Sequence, residues 1–239
     1  MITSLTPVLA GFAHGTSSPD GRAATVELMR AVAEAHPAIT VRLGYVDVQH
    51  PDPAETLDAI EPGREAIVIP LLLSAGYHVH VDLTEAVQAQ ADRPTELTGA
   101  LGPDDRLTEL LQQRLHEAGL QDDDILVLAV AGSSDARAVA DCHVVAERLA
   151  AASAREVRIG FLSAASPRLP EAVAAARAAH PGRRIMVSSY LLAPGYFQSL
   201  VEAAGADVVT QPLLLATGAA PRQLVDVVAS RYFDAIARR

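Results

Sequence analysis

The sequence predicts an α/β protein of two similar domains, each a mainly parallel sheet flanked by helices, with a cleft between them. Three observations predict it. Apolar strand-like runs alternate with helical stretches, the pattern of right-handed βαβ units. The runs, such as Ala66–Leu73, are continuously apolar, as expected when helices cover both faces of a parallel sheet. The second half repeats the landmarks of the first in the same order.

The elements follow in pairs. Val8-Leu9-Ala10-Gly11-Phe12-Ala13-His14-Gly15 opens the first half, and Ile125-Leu126-Val127-Leu128-Ala129-Val130-Ala131-Gly132 opens the second. Each leads through a small polar loop into a helical stretch, Arg22–Ala35 or Ala136–Ala151. Val41–Asp47 and Val157–Ser163 come next, each followed four residues later by a proline, Pro51 or Pro167. Further runs, Ala66–Ser74 and Arg184–Ala193, end in Ala75-Gly76-Tyr77-His78 and Pro194-Gly195-Tyr196-Phe197. Each half closes on an amphipathic helix, Arg106–Ala118 or Pro221–Ile236. The expected domains are 1–121 and 122–239, joined at the acidic stretch Gln121–Asp124. In such sheets ligands bind beyond the carboxyl ends of the strands, where the glycine-containing loops lie.

Composition narrows the function. With 239 residues, half of them hydrophobic, the chain can bury a large core. Its net charge of −10, with no basic cluster, argues against nucleic-acid binding. The single cysteine, Cys142, excludes an internal disulfide and a thiolate metal cluster, and reads as a small packing residue on a helix. Met1–Pro7 has no basic stretch followed by an apolar core, and the apolar runs are too short for a bilayer. A cytoplasmic protein with no membrane association is expected.

The halves differ at three telling points. His14 stands opposite Ala131, Asp47 opposite Ser163, and His78 opposite Phe197. Each lies at the expected carboxyl end of a strand. Two imidazoles and a carboxylate with open positions suit Fe²⁺, Co²⁺, Ni²⁺ or Zn²⁺, and imidazole also accepts protons near neutral pH. Taken singly, each has a plainer reading. His14 precedes Thr16-Ser17-Ser18, which can cap a helix or cradle a phosphate, although no Walker or dinucleotide spacing is present. Asp47 can be a turn residue and His78 a surface histidine. His80 reads as a solvated neighbour, His50 as facing the cleft, and His36, His116, His143 and His180 as surface residues.

At these residues the chain resembles the sirohydrochlorin chelatase family, in its long, internally duplicated form. The matching pieces are His14-Gly15-Thr16-Ser17, Asp47-Val48-Gln49-His50-Pro51 and Gly76-Tyr77-His78-Val79-His80-Val81-Asp82. The resemblance implies a metal chelatase that inserts Fe²⁺ or Co²⁺ into sirohydrochlorin, in siroheme or cobalamin synthesis. The ion and the tetrapyrrole are then both substrates, with no organic cofactor. It makes His14 the proton acceptor and a metal contact, and His78 the other metal contact. It places the macrocycle against His50 and against Leu72, Leu73, Ser74, Ala75, Gly76 and Tyr77. The family carboxylate is usually glutamate, so the shorter Asp47 reaches the metal directly or through water. A metal or tetrapyrrole carrier without turnover is the alternative. Because one chain supplies both walls of a cleft, a monomer is expected.

Overall fold

The computed structural model describes residues 6–74, 76–90 and 93–238, apart from the side chains of residues 77–80. Within them lie two four-stranded parallel sheets of the same topology. The first sheet has the order β2-β1-β3-β4, with β1 (Val8–Ala13), β2 (Val41–Tyr45), β3 (Ala66–Pro70) and β4 (Thr95–Leu97). Its helices are α1 (Pro19–Ala35), α2 (Pro53–Asp58), α3 (Tyr77–Gln88) and α4 (Asp105–Glu117). The second sheet has the order β6-β5-β7-β8, with β5 (Ile125–Val130), β6 (Val157–Phe161), β7 (Ile185–Tyr190) and β8 (Val208–Val209). Its helices are α5 (Ala136–Ser153), α6 (Leu169–Ala179), α7 (Tyr196–Glu202) and α8 (Arg222–Ala237). Gln121–Asp124 falls between α4 and β5.

Alternation along each strand sorts the core into layers. On β1, Val8, Ala10 and Phe12 face outward onto Leu57 of α2 and Leu83 of α3, while Leu9 faces the middle of the molecule. On β5, Val127 and Ala129 face outward onto α6 and α7, while Leu126 and Leu128 face the middle. The middle is one continuous apolar cluster. Leu28 of α1, Leu110 of α4, Val145 of α5 and Val228 of α8 meet both sheets there. The final helix of each half packs on the first helix of the other: α4 on α5, and α8 on α1. The result is five layers, with one helical layer shared between the two sheets.

Polar groups reinforce this sharing. Arg106 on α4 donates to the Asp226 carbonyl (2.9 Å) and to Ser230 Oγ (2.6 Å) on α8. Arg231 on α8 donates to the carbonyls of Ala100 (2.9 Å) and Leu101 (2.8 Å). Asp104 lies between the two guanidiniums, 2.8 Å from Arg106 and 3.6 Å from Arg231. The Arg106 hydrogen bond holds its carboxyl below the usual range.

Two sequence-based boundaries shift. The run expected as a strand over Ala66–Ser74 ends as one at Pro70, one N–H bond short of the last contact with β1, from Leu71 to the Phe12 carbonyl (2.8 Å). Leu71–Ser74 then leave the sheet as a loop. His78, expected at a strand end, is therefore in the first turn of α3, two residues past its N-cap Gly76. Arg184–Ala193 shortens likewise to β7. Among the described residues no helix is long and apolar enough to cross a membrane.

A carboxylate whose folded pKa is depressed stabilises the fold fully above its unfolded pKa, about 3.9 for Asp. That stabilisation is lost as pH falls through the lower folded value. The thermal midpoint of the wild type should therefore fall as pH drops below about 4, and more shallowly in Asp104→Asn. Parallel slopes for the two proteins in scans between those conditions would show that Asp104 is not part of the clasp.

Candidate active site

The chain leaves β1 for the middle helix layer and β3 for the outer one, so the carboxyl ends of these neighbours form a topological switch point. A cavity of about 490 Å³ opens there and runs to the equivalent ends of β5 and β7. That volume suits a small-molecule site. His14, Gly15 and Thr16 border it after β1, and Leu71–Ser74 and Gly76 after β3. From the second half come Ala131, Gly132 and the stretch Tyr190–Phe197. Thr25 and Cys142, on α1 and α5, complete the floor.

A glycine sets the geometry on the His14 side. Gly15 has φ +99°, and a Cβ there would meet the Asp47 carbonyl oxygen at 2.0 Å. The absent side chain lets the β1–α1 and β2–α2 loops lie backbone to backbone, with Asp47 N–H donating to the His14 carbonyl at 2.8 Å. His14 and Asp47 are thereby held side by side, both exposed. Gln49 adds a second tie, its Oε1 accepting from Thr16 N–H at 2.8 Å. Between them Val48 is the centre of a tight turn. Its φ is +63°, Gln49 N–H donates to the Asp47 carbonyl (2.6 Å), and Val48 N–H donates to Asp47 Oδ1 (2.7 Å). A β-branched residue in this region stores on the order of 1–3 kcal/mol, so the surrounding bonds must hold it.

The second half keeps this scaffold without the ligand types. Gly132 has φ +85° and would clash with the Ser163 carbonyl at 2.0 Å, Ser163 N–H donates to the Ala131 carbonyl (2.9 Å), and Ala164 repeats the turn at φ +55°. Two side chains bind the halves around the cavity. Tyr190 O–H donates to the Leu73 carbonyl (3.1 Å), and Cys142 meets Ser74. Burial pushes the Tyr190 phenol upward and the Cys142 thiol up to about 11. At neutral pH Cys142 is thus a thiol, which neither ligates a metal nor reacts readily. It is buried on α5, the packing role expected for it.

The residues singled out from sequence fall into three groups. His14, Leu72, Leu73, Ser74 and Gly76 border the cavity, and Asp47 adjoins His14 through the backbone. Ala75, and the side chains of Tyr77, His78 and His80, lie outside the described residues; the backbone of His78 is the second residue of α3, just beyond Gly76 of the cavity wall. His50 faces a separate outer groove with Val26, Met29 and Pro51, and its Nδ1 lies 2.8 Å from Glu55. That contact raises the His50 pKa.

His50, Asp52 and Glu55 bring metal-competent atoms within 4.8 Å of one another. Their carboxylates, however, form the capping box of α2: Asp52 accepts from Glu55 N–H (2.8 Å) and Glu55 from Asp52 N–H (2.9 Å). A helix N-terminus favours the anions themselves and disfavours a cation, so the cluster reads as a cap. The phosphate reading of 14–18 also loses three backbone donors at this loop. Thr16 N–H is taken by Gln49, Ser18 N–H by Thr16 Oγ1, and Gly21 N–H by Ser18 Oγ, the cap of α1.

Sequence reasoning passed over Gln49, Thr25, Tyr190 and Val48. Gln49 stands between two residues that were noticed, but its work is a bond to a backbone thirty-three positions away. Tyr190 stands where the first half has Leu71, a mismatch visible on comparing the halves.

The comparisons bear on the family and the fold. The CbiX family model matches residues 9–118 and 125–199, and the chain belongs to that family. Among solved structures it resembles SirB from Bacillus subtilis with Fe3+, at 18% identity and TM-score 0.81 over 98% of this chain and 96% of that one. A second is the sirohydrochlorin chelatase SirB from Bacillus subtilis subspecies spizizenii in complex with cobalt, at 13% identity and TM-score 0.72, covering 96% and 94%. A third is CbiX, the terminal enzyme for siroheme biosynthesis in denitrifying bacteria, at 19% identity and TM-score 0.62, covering 93% and 98%. The fold is thus chelatase-like. No curated protein matches the chain.

Gly15→Ala tests the backbone lock. The added Cβ overlaps a main-chain oxygen, so the loops must separate, and the unfolding free energy should fall by about 3 kcal/mol or more in urea titration. A loss below about 1 kcal/mol would mean that the two loops are not joined through Gly15.

Proposed function

We propose that this chain is a sirohydrochlorin chelatase, which inserts Fe²⁺ or Co²⁺ into sirohydrochlorin to supply siroheme or cobalamin synthesis. The observation that carries the reading is the asymmetry of two equivalent loop pairs: His14, at the cavity, and Asp47 are joined through their backbones on the first-half side, while Ala131 and Ser163 stand at the corresponding places on the other. Family membership supports it across both halves.

In this reading the ring enters the cavity and rests on Leu72–Ser74 and on the wall from Leu191 to Phe197. Insertion exchanges two pyrrole N–H protons for one M²⁺. The imidazole of His14 contacts the ion and accepts one pyrrole proton as the ring nitrogens take the metal over, and water takes the second. His78 supplies the second metal contact from the start of α3. Asp47, beside His14, offsets the positive charge. Imidazole and carboxylate hold a borderline divalent ion without trapping it as thiolates would, which a delivery site requires. The reaction needs no organic cofactor. One chain provides both walls, so the active unit is a monomer.

Sirohydrochlorin mixed with Co²⁺ and purified protein should lose its metal-free absorbance much faster than without protein. His14→Ala should reduce the rate to the spontaneous one, with an unfolding transition like that of wild type. A wild type no faster than background would leave only a carrier, and a fully active His14→Ala would remove His14 from the chemistry.

A further inference from the structure

Exposed apolar side chains stand on both sides of the cavity. Among the described residues, the two most exposed large hydrophobics are Tyr196, at 71%, and Val48, at 57%. Both border this one cavity, Val48 from the first half and Tyr196 from the second. Val48 is held there in a left-handed conformation that its branched side chain disfavours. Its counterpart Ala164 occupies the same turn with a smaller side chain and does not line the cavity.

Tyr196 is the first residue of α7, directly after Gly195. Its ring leans on Phe197, with centroids 6.1 Å apart and planes at 42°, and its carbonyl accepts from Ser199 Oγ at 2.6 Å. Phe197 itself packs into the outer core of the second half. The position that holds His78 in the first half has thus become, in the second, the prop of an exposed aromatic ring. Tyrosine suits such a surface, because it presents a large rigid face while only two side-chain torsions are ordered.

We infer that Val48 and Tyr196 are two apolar lips that grip the flat conjugated ring of the tetrapyrrole, and that Tyr196 sets how tightly the ring is held without handling the metal. The inference rests on the chelatase reading above and deepens it. Metal chemistry then lies on the first-half side, while ring recognition draws on both halves.

The test separates ring binding from metal insertion. Fluorescence titration of sirohydrochlorin without metal reads binding alone, and initial rates with Co²⁺ give KM and kcat. Tyr196→Ala should weaken ring binding and raise the tetrapyrrole KM by about fivefold to tenfold. Its kcat should change by less than about twofold, as for a contact kept from ground state to transition state. Tyr196→Phe, which keeps the ring face, should recover most of the affinity. Val48→Asn tolerates the left-handed turn, so its unfolding midpoint should hold or rise while KM increases. Val26→Ala, an exposed apolar residue of the outer groove, serves as the control.

Wild-type affinity in Tyr196→Ala, or a loss in kcat with KM unchanged, would overturn the inference. A wild type that binds the ring but does not metallate it would sink the chelatase reading and leave the lips standing. A wild type that binds no ring would overturn both.

Discussion

The site depends on a hydrogen bond between two backbones, from Asp47 N–H to the His14 carbonyl at 2.8 Å. It forms because residue 15 has no side chain and adopts φ +99°. The approach continues the parallel pairing of β1 and β2, which sets Ala13 beside Tyr45. His14 and Asp47 become neighbours although their strands are separated by a whole helix. Thr16 comes within reach of Gln49, and Val48 is forced into its left-handed turn. The same bond recurs between Ser163 and Ala131 at 2.9 Å, so it belongs to the duplicated scaffold and not to the chemistry. At these two loops the halves differ in side chains on a common backbone.

The shared middle layer explains how one cavity can use both halves. Each sheet has one face covered by its own outer helices and the other by helices drawn from both halves. Tyr190 reaches from β7 to the Leu73 carbonyl, fixing the loop after β3 from the opposite side. The walls of the cavity therefore belong to one packed body, and an apolar ring meets surfaces already in place. Preorganisation of this kind lowers the cost of binding.

Much of the architecture was legible in the amino-acid order. Val127 and Ile67 lie in continuous apolar runs because both sheet faces are buried, and Gly15 and Gly132 mark the loops where those runs end. The contrasts of His14 with Ala131 and Asp47 with Ser163 pointed to the side proposed here for the metal, since a duplicated scaffold isolates what is not structural. Other features were hidden for physical reasons. An apolar stripe on α4 does not say which sheet it will face, so the sharing of helices between halves could not be read. Both β3 and β7 end earlier than their hydrophobicity implies. Gln49 and Tyr190 act through backbone partners distant in sequence, which no local pattern reveals. His50 carries a motif position, yet its ring is turned toward Glu55 in the outer groove.

The central claim is that the first-half rim grips the divalent ion and the second-half rim does not. Anomalous diffraction at the cobalt edge, from crystals soaked in Co²⁺, measures this directly. The account predicts one ion at the cavity, coordinated by His14 and His78, with no density beside Ala131 and Phe197. An ion bound by His50, Asp52 and Glu55 while His14 and His78 carry none would contradict it.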